Sequence, residues 1–552
     1  MRKQTKIAAV VSAAALLAIG ASMTSFAATG WQEENGTWVY YNKAGEMVTD
    51  SWEKSGDNWF YLDDSGEMAT DSLIEDNDDY YYVNASGAMV RNQWVAIDNE
   101  DAGEDDQPDV WWYYFQGNGK AYKNTHSSGK LFKKVINGKT YCFDEDGRMQ
   151  YGWVKKDDGT TNHDDNAFAD CEYYFGDEND GAMSVGWREI ALTDVADADA
   201  EQPGDSFWDE DQVRWFFFKS SGQKQTDKTN KTINGKKYGF DGYGRMIADW
   251  HVDKATIDDA NKDLNRRGYA KSTPGDALSR QTYEYAREFQ YFSSPESGAR
   301  YTKGWFKVVP GYYLNYGSYD DGSSKWYYAD GNGNIYAGQI KSIKGKKYAF
   351  DLKGGMISGL AILRTDGSNN ILEYVDDEGK YDTEDTFDAY VKTIKGDKDF
   401  GVYYFSDDAD RDGSMKTGTQ RVELDGERLT FKFTKEGTKK GQGVTGLSDK
   451  KYYLGGKLMT AGSDNKIEVL RLSDYEQLTV GELIKDLGYT KAKTVKNTDY
   501  YGPSEGVYEN LNLAGYRVIN TSGSVVKSGT KKDGDGFKVV LRNDVIQQIC
   551  VD

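Results

Sequence analysis

Cysteine, histidine and proline are scarce in this chain, which has 3 Cys, 3 His and 6 Pro among 552 residues. Three cysteines are too few for a disulfide scaffold, although the sequence leaves open whether Cys142 and Cys171 pair. His126, His163 and His251 are far apart in polar segments, and neither an HExxH motif nor paired Cys-x-x-Cys motifs occur. The sequence therefore predicts neither a zinc site nor a disulfide scaffold.

Catalytic motifs are also missing. The chain has no GxSxG elbow, no P-loop and no Cys–His partnership. Its 90 Asp and Glu residues are so abundant that an acid–base pair could be drawn anywhere, so they are no evidence for catalysis. We expect no catalytic residues, no cofactor and no enzyme activity. An activity carried by residues 461–552 remains a further alternative, which a fragment of those residues would test.

Long hydrophobic runs are absent after the N-terminus. Arg2, Lys3 and Lys6 precede an apolar stretch from Ile7 to Ala21, and a small-x-small cleavage site ends at Ala27. The apolar stretch is shorter than the ~20 residues that a membrane-spanning helix needs. The pattern predicts a secretory signal peptide at residues 1–27 and a secreted mature chain without a transmembrane segment.

Positive charge is in deficit, with 68 Lys and Arg against 90 Asp and Glu and a net charge of −22. Loss of the three basic residues of the signal peptide would leave −25. Nucleic-acid binding calls for basic surface, so we expect no nucleic-acid partner. An acidic surface suits a cationic ligand, although a solvated acidic coat accounts for most of these charges.

Aromatic residues and glycine, in contrast, are abundant. The chain has 14 Trp, 41 Tyr and 61 Gly, a composition typical of short strands joined by glycine turns. A unit of 21 residues repeats near the N-terminus, marked by Gly-x-Met at Gly45, Gly66 and Gly87. Each unit has a first strand, a polar turn, a four-residue aromatic strand, a glycine turn and the Met. The pattern predicts β-hairpins, which are unstable alone and must stack on their neighbours.

Longer units continue the repeat in three cycles of about 100 residues. Each cycle combines an aromatic quartet, an NGK-type unit such as 137–149, and a unit with a longer turn such as 172–187, with acidic insertions such as 98–109. We divide the chain into the signal peptide (1–27), three regular repeats (28–95), longer cycles with acidic insertions (96–360), degenerate repeats (361–460) and a small mixed C-terminal region (461–552).

The predicted fold class is all-β, a repetitive β-hairpin solenoid with inserted acidic loops and the small mixed C-terminal region. In that region the spacing predicts a helix over 473–490, capped by Ser473, and strands within 516–529 and 535–551.

Alternation along the aromatic quartets separates two faces. The second and fourth residues, such as Val39 and Tyr41, stay apolar in every unit. The first and third residues are Trp38 and Tyr40 in the first unit but become small or polar in the NGK-type units. We interpret the constant face as the packed core and the variable face as a surface whose aromatic residues need another explanation.

The pattern GW…TWVYYNKAGEMVTDSW at 30–52 resembles the cell-wall-binding (choline-binding) repeats of secreted Gram-positive bacterial proteins. The segment INGKTYCFDEDGRMQYGW at 136–153 is similar to the glycan-binding repeats of clostridial toxins and glucosyltransferases. The resemblance covers about residues 30–460 and implies a solenoid of stacked hairpins, with ligand held between hairpins by aromatic rings and a nearby Met. It implies a surface polymer as partner, either choline-substituted teichoic acid or a glycan, and a location at the bacterial cell wall or surface.

Carried over by position, the resemblance implies ligand-binding roles for three groups of residues. Only the first group is complete, because Leu73 stands where the second and third expect Trp. The groups are Trp31, Trp38, Tyr40 and Trp52 with Met47; Trp52, Trp59 and Tyr61; and Tyr80, Tyr82 and Trp94. Beyond Trp94 the inserted loops depart from the family pattern.

Two interpretations of these rings remain open from the sequence. In one, the rings bind choline or a glycan in a non-catalytic wall-binding protein. In the other, every ring packs hairpin on hairpin in a structural or adhesive surface solenoid. A calcium loop is a separate candidate: Asp408, Asp410 and Asp412 match the start of an EF-hand loop, but its twelfth position is Thr419 instead of the bidentate Glu. The stretch coincides with the longer turn of a repeat, whose Gly-x-Met is Gly413 and Met415, so we expect a solvated turn and no metal site.

Overall fold

The computed structural model describes residues 29–103, 107–125, 131–164, 167–192, 212–252, 283–375, 380–406 and 412–552. The predicted signal peptide, His126 and two calcium candidates, Asp408 and Asp410, lie outside these residues. The chain divides into two compact units, Met1–Ile247 (unit 1) and Ala248–Asp552 (unit 2).

Antiparallel hairpins make up most of unit 1. The strands are β1 (Gly30–Glu34), β2 (Thr37–Tyr41), β3 (Ser51–Ser55), β4 (Asn58–Leu62), β5 (Ser72–Asp76), β6 (Asp79–Val83), β7 (Gln93–Asp98), β8 (Val110–Phe115), β9 (Lys133–Ile136), β10 (Lys139–Cys142), β11 (Gly152–Val154), β12 (Thr161–Asn162), β13 (Tyr173–Asp177), β14 (Asp180–Met183), β15 (Gly186–Leu192), β16 (Gln212–Phe218), β17 (Lys228–Ile233) and β18 (Lys236–Phe240), with helix α1 (Ala167–Asp170) before β13. Each strand pairs with its neighbour in a two-stranded sheet, except in the four-stranded sheet β12-β11-β13-β14.

Unit 2 begins with similar hairpins and ends with larger sheets. Its elements are β19 (Asp249–His251), α2 (Tyr283–Ala286), β20 (Gln290–Phe292), β21 (Gly304–Val308), α3 (Tyr316–Asp320), β22 (Lys325–Ala329), β23 (Gln339–Ile343), β24 (Lys346–Phe350), β25 (Gly359–Thr365), β26 (Ile371–Tyr374), α4 (Glu384–Ile394), β27 (Phe400–Phe405), β28 (Gly418–Leu424), β29 (Glu427–Phe433), β30 (Gly446–Ser448), β31 (Lys451–Leu454), β32 (Lys457–Leu458), β33 (Ile467–Arg471), β34 (Glu476–Leu478), α5 (Val480–Asp486), β35 (Thr490–Val495), β36 (Thr498–Gly502), β37 (Tyr516–Asn520), β38 (Gly529–Lys532), β39 (Phe537–Arg542) and β40 (Val545–Val551). The larger sheets are β26-β25-β27, β28-β29-β32-β31-β30, β34-β33-β37 and β35-β36-β40-β39-β38.

The predicted repetitive all-β hairpin fold is confirmed. We call β1/β2, β3/β4, β5/β6 and β7/β8 hairpins 1 to 4. The turn of hairpin 1 is Asn35-Gly36, with φ of 53° and 86°, the conformation that matches a two-residue turn to the twist of its strands.

Successive hairpins of unit 1 are joined by one recurring backbone hydrogen bond. The Met68 amide of the second repeat donates to the Trp38 carbonyl of hairpin 1 at 2.8 Å, and the Met89 amide donates to the Trp59 carbonyl at 2.8 Å. In each case the acceptor is the first residue of an aromatic quartet and the donor is the Met of the next repeat. This bond places each hairpin against the one before it.

The glycine and the methionine of the repeat meet between neighbours. A Cβ placed on Gly66 would lie 2.5 Å from the Met47 sulfur, and one on Gly87 would lie 2.8 Å from Met68 Cε and sulfur. The Gly-x-Met spacing therefore has a structural cause, since the Met of one repeat packs where a side chain on the next glycine would stand.

The face predicted to be core is buried, except that Tyr41, Tyr81, Tyr238 and Tyr348 are only half-buried. Fourth quartet residues such as Leu62, Val83 and Phe115 are fully buried, and the second residues Val39 and Phe60 are nearly so. The other face departs from the expectation in the NGK-type units. There the small third residues, such as Cys142 and Ala349, are fully buried instead of exposed, because their small side chains let the next hairpin approach.

The C-terminal region corrects one boundary. Helix α5 covers only Val480–Asp486 and is capped by Thr479, not by Ser473. Leu478 lies in strand β34, whereas Leu483 faces the core. Thr479 and Glu482 form a reciprocal capping box, which satisfies two backbone donors at that end. The strands predicted within 516–529 and 535–551 are confirmed as β37 and as β39 and β40, whereas β38 lies between the two ranges and was not predicted.

Helix α4 was not predicted. Its Phe387 and Val391 pack against Phe431 and other side chains of the five-stranded sheet in the segment assigned to degenerate repeats. The three cysteines Cys142, Cys171 and Cys550 are free thiols, so Cys142 and Cys171 do not pair.

Candidate functional site

Three of the predicted ligand residues share one face of hairpin 1. Trp31 lies directly across from Tyr40 in the register, and Glu33 lies across from Trp38. Because opposed residues of an antiparallel pair point to the same side, these four side chains form one surface, which we call the tryptophan face. Val39 lies on the reverse side, the core face, and is buried.

Where a hairpin has a tryptophan in its first strand, the face that carries this tryptophan meets the core face of the next hairpin. The Trp31 ring lies 5.3 Å from the Tyr40 ring of its own hairpin and 5.3 Å from the Phe60 ring of hairpin 2, both edge to face. Edge-to-face contacts are favoured by the ring quadrupoles. Equivalent pairs of contacts at 4.8 to 5.3 Å recur around Trp31, Trp52, Trp94, Trp153, Trp187, Trp250 and Trp305.

Trp52 belongs to the next junction. Its ring partners are Tyr61 of its own hairpin and Tyr81 of hairpin 3, each at 5.1 Å. The sequence placed Trp52 with Trp31 because the two Trp flank one repeat, but the register directs the Trp52 side chain toward hairpin 3. In the first group, the partner supplied by hairpin 2 is thus Phe60.

Trp38 and Trp59 hold the first quartet position and differ from the first-strand tryptophans. Neither ring contacts another aromatic ring of the residues that the structure describes. Trp38 is half-buried, and Trp59 is 37% exposed. We call these two tryptophan rings open because they are partly exposed and contact no other aromatic ring of the described residues.

The third predicted group is already engaged. The ammonium of Lys123 lies 5.2 Å from the centre of the Tyr80 ring. The Tyr82 hydroxyl donates to Asp71 at 2.5 Å. Burial raises the pKa of Tyr82, and this hydrogen bond raises it further. Trp94 does not join these tyrosines but packs on Tyr114 and Tyr141.

Met47 stands at the junction of hairpins 1 and 2 and is 39% exposed. Its sulfur lies against the backbone of Gly66, as described above. Met47 therefore has a packing role that holds whether or not a ligand binds beside it.

Two polar groups of the tryptophan face of hairpin 1 differ in their exposure. The Trp31 indole nitrogen is buried and has no hydrogen-bond partner among the described residues, so a ligand on the surface does not reach it. Glu33, in contrast, is exposed. The Glu33 carboxylate shares the face with Trp38, which places a negative charge beside the open ring.

Among the described residues of unit 1, Lys and Arg side chains lie over aromatic rings beyond residue 79 but not over those of the first two hairpins. Over residues 29–79, all of which the structure describes, no Lys or Arg side chain of a described residue lies over an aromatic ring. Beyond residue 79 of unit 1, Arg148 lies 5.0 Å from the Trp111 ring and Lys224 lies 5.6 Å from the Trp153 ring. Residues 29–94 hold 3 Lys and Arg against 14 Asp and Glu, which favours an external cation at the first hairpins.

Sequence reasoning missed Glu33, Phe60 and Tyr81 as members of the junctions. Cross-strand register within a two-residue-turn hairpin could have placed Glu33 beside Trp38. The junctions around Trp187 and Trp305 were also missed. Each of these rings meets the first quartet tryptophan of its own hairpin, Trp215 or Trp326, at 6.4 Å or less, and the inserted loops concealed these sets in the sequence.

The calcium prediction falls mostly outside the described residues. Of its three candidates only Asp412 is described, and its carboxylate accepts hydrogen bonds from Lys346 at 2.9 Å and Lys416 at 2.5 Å. Burial raises the pKa of Asp412, but the bonds from Lys416 and Lys346 outweigh it and hold the pKa below its usual value. Among the described residues, no group of three or more His, Cys, Asp or Glu is arranged to hold a metal ion.

In the described part of the chain, no helix is long and apolar enough to span a bilayer.

Comparison with known proteins identifies the repeats of hairpins 1 to 3. The sequence profile of the choline-binding repeat matches residues 49–94, and that of a cell wall binding repeat matches residues 29–47. No curated protein matches the chain.

Solved structures from Streptococcus pneumoniae align at low similarity. The choline-binding domain of CbpL is 19% identical over 40% of this chain and 88% of its own, with a TM-score of 0.25. Choline binding protein F is 16% identical over 78% of this chain and 100% of its own, with a TM-score of 0.21. The modular autolysin LytC, in complex with a synthetic peptidoglycan ligand, is 15% identical over 66% of this chain and 58% of its own, with a TM-score of 0.30.

The identity of the repeats depends on the two sequence profiles and on the hairpins that they cover, and not on these structural alignments. Residues 49–94 of the chain are therefore choline-binding repeats, and residues 29–47 are a cell wall binding repeat.

Proposed function

We propose that this chain is a secreted, non-catalytic protein of the bacterial cell wall, which binds choline groups of a wall polymer such as choline-substituted teichoic acid. The proposal is supported by the repeat family and by one observation in particular. The tryptophan face of hairpin 1 carries Trp31, Trp38 and Tyr40 with the Glu33 carboxylate, and no internal cation of the described residues covers its rings.

The chemistry of this face suits a quaternary ammonium group. Such a cation has no hydrogen to donate, so it is held by attraction to ring faces, at about 0.5–2 kcal/mol per ring. The open ring of Trp38 supplies one such face. Glu33 adds a charge of the right sign next to it, without requiring a hydrogen bond from the ligand.

A glycan is the alternative ligand of the same face. Sugars stack their apolar faces on tryptophan rings, and the Trp38 ring offers such a face. The two ligands differ in their dependence on charge, because Glu33 contributes to binding a cation and contributes little to stacking a neutral ring.

Isothermal titration of the mature protein with choline, its neutral carbon analogue 3,3-dimethylbutan-1-ol and a wall oligosaccharide tests the proposal. We expect heat with choline and about tenfold weaker binding of the neutral analogue, the ratio that ~1.4 kcal/mol of lost cation attraction gives. Equal binding of choline and its neutral analogue, or heat with the oligosaccharide alone, would contradict choline recognition.

Cell fractionation tests the proposed location at the cell wall. If the repeats hold the protein on choline-bearing wall polymers, the protein should be found in the wall fraction and be released by washing with choline. Recovery from the medium only, with or without choline, would count against the location.

A structural or adhesive surface solenoid is the second candidate, favoured by the edge-to-face packing of the first-strand tryptophans between hairpins. Tryptophan fluorescence separates the two functions. Binding at open rings should change the emission of Trp38 when choline is added, whereas a solenoid whose rings only pack should show no change.

A further inference from the structure

The junction around Trp153 repeats the construction of hairpin 1. Trp153 lies across from Tyr174 in the pair β11/β13, and its ring lies 5.1 Å from the Tyr174 ring. The next hairpin, β15/β16, places Phe216 5.1 Å from the same ring. Trp31, Tyr40 and Phe60 have the same three roles in hairpins 1 and 2. The first quartet position differs, since Glu172 stands where hairpin 1 has Trp38.

Lys224 stands at this junction in the place of a methionine. Its backbone bridges Phe218 and its amide donates to the Glu172 carbonyl at 2.8 Å. Met68 bridges Leu62 and donates to the Trp38 carbonyl at 2.8 Å in the same manner. The aliphatic part of Lys224 also packs as a methionine does, since a Cβ on the next glycine, Gly244, would lie 3.1 Å from Lys224 Cδ.

The ammonium of Lys224 lies over the Trp153 ring, which corresponds to Trp31 of hairpin 1. It lies 5.6 Å from the centre of the Trp153 ring and donates to the carbonyl of Phe168 and, at 3.4 Å, to that of Ala169, both in α1. Lys224 is only 6% exposed. Burial lowers the pKa of Lys224 to about 8, against the opposing influence of Cys171 and Glu172, so the side chain carries its charge at neutral pH.

We propose that Lys224 is a built-in cation that closes the Trp153 junction to external ammonium ligands and thereby limits which repeats bind. The inference rests on the proposed function, because it specifies which junctions take choline. A cation tethered to the chain loses no translational freedom on binding, so a free ligand cannot displace it at ordinary concentrations.

The insertion before β13 completes this closure. It supplies α1, whose carbonyls accept from the Lys224 ammonium, and Phe168, which lies in the same buried cluster as Trp153 and Phe216. The insertion that contains α1 and the lysine at the methionine position of the repeat therefore act together. This gives one of the insertions a role that the sequence did not reveal. At hairpin 1 the equivalent position is Met68, and no ammonium of a described residue covers the rings.

The test replaces Lys224 with the residue of the regular repeats. In the full-length mature chain carrying Glu172→Trp, which supplies the first quartet tryptophan that this junction lacks, Lys224→Met should add one binding site per molecule for tetramethylammonium in isothermal titration, and Glu172→Trp alone should add none. Lys228→Met is the matched control, since it removes the same charge from an exposed position on β17 and should leave the number of sites unchanged. A folded protein with both substitutions and no added site would overturn the proposal.

A second measurement uses the unmodified chain, in case Lys224→Met does not fold. With indole groups labelled for NMR, saturating tetramethylammonium should leave the Trp153 signal unmoved. A shift of the Trp153 signal in the unmodified chain would overturn the closure. A Trp38 signal that stays unmoved as well would instead count against the proposed function, and the gain of a site in the doubly substituted chain would still support the closure.

Discussion

Trp38 and Trp59 occupy the same place in successive hairpins but have opposite charges beside them. Glu33 lies across from Trp38, whereas Lys54 lies across from Trp59. A carboxylate favours a cation at the neighbouring ring and an ammonium disfavours it. Hairpin 1 is therefore the better cation site, even though Trp59 is the more exposed of the two rings.

Glu33→Gln should weaken choline binding about two- to fivefold, because a solvated charge contributes up to ~1 kcal/mol. Glu46→Gln is the control: it makes the same change on the turn of the same repeat, where Glu46 accepts from Asn42 at 3.1 Å. Titration of both variants checks this. Equal effects would show that net charge, not position on the tryptophan face, governs affinity.

The Asp63 carboxylate should make the stability of hairpin 2 depend on pH. Its Oδ1 accepts from the amides of Ser65 and Glu67, each at 2.9 Å, and from the Ser65 hydroxyl at 2.7 Å. Burial raises the pKa of Asp63, but these bonds outweigh it and lower the pKa. A lowered carboxyl pKa stabilises the fold above the unfolded value, and that stability is lost as the pH falls through the folded value.

The expected loss for hairpin 2 begins below about pH 4 and stays under about 1 kcal/mol, because the group is largely solvated. Asp63→Asn keeps the acceptor, as Asn42 and Asn84 do at the same position in the adjacent repeats, and removes the titration. Hydrogen exchange of residues 51–68 at pH 3 and pH 6 should show a smaller acid effect in Asp63→Asn, and identical profiles would refute this role.

The hairpin is the element whose packing explains the repeat. Gly66 has a φ of 85°, and Met47 packs over it, so the glycine serves both the turn and the approach of the previous hairpin. The sequence revealed the spacing of Gly-x-Met but not this contact, because the partners are in different repeats. Hairpins, core face and turns were predictable from alternation and glycine placement, since both are local properties.

Gly66→Ala should destabilise hairpins 1 and 2 by about 1–3 kcal/mol, because the new methyl group displaces Met47 and the backbone is left-handed. Gly36→Ala has the matched φ of 86°, and its Cβ would meet no atom of the described chain within 4 Å, so it should cost only about 1 kcal/mol. Hydrogen exchange across residues 29–68 measures both, and Met47→Ala should recover part of the Gly66→Ala loss. Equal losses for the two glycines would rule out the packing contact.

Elements that depend on distant contacts escaped prediction. Helix α4 forms where Phe387 and Val391 meet the sheet of β28 to β32. The apolar face of this helix was not recognised in the sequence, because polar and charged residues surround its two buried side chains. Helix α5 begins at Thr479 because Glu482 completes its capping box, although Ser473 also resembles a cap. The grouping of Trp52 was wrong for a similar reason, since the junction partner comes from register and not from proximity in sequence.

The whole molecule has separate hydrophobic cores in its two units, with Phe115 and Phe216 in clusters of unit 1 and Phe387 and Leu483 in clusters of unit 2. Repeat stacking is local, so unfolding need not be a single cooperative step. Calorimetry should show more than one transition. Choline should raise the transition that contains hairpin 1 and leave the others unchanged, and a uniform shift of all transitions would contradict binding confined to the first repeats.

If the open ring of Trp38 binds a quaternary ammonium group, its removal should weaken choline binding. Titration of choline into the mature chain and into Trp38→Ala and Trp111→Ala measures this. Trp111 is the matched control, because the Arg148 guanidinium already lies 5.0 Å from its ring. We expect the affinity for choline to fall at least about tenfold in Trp38→Ala, from ~1.4 kcal/mol of lost cation–ring attraction, and to stay unchanged in Trp111→Ala. Unchanged affinity in a folded Trp38→Ala protein would show that the Trp38 ring does not bind choline.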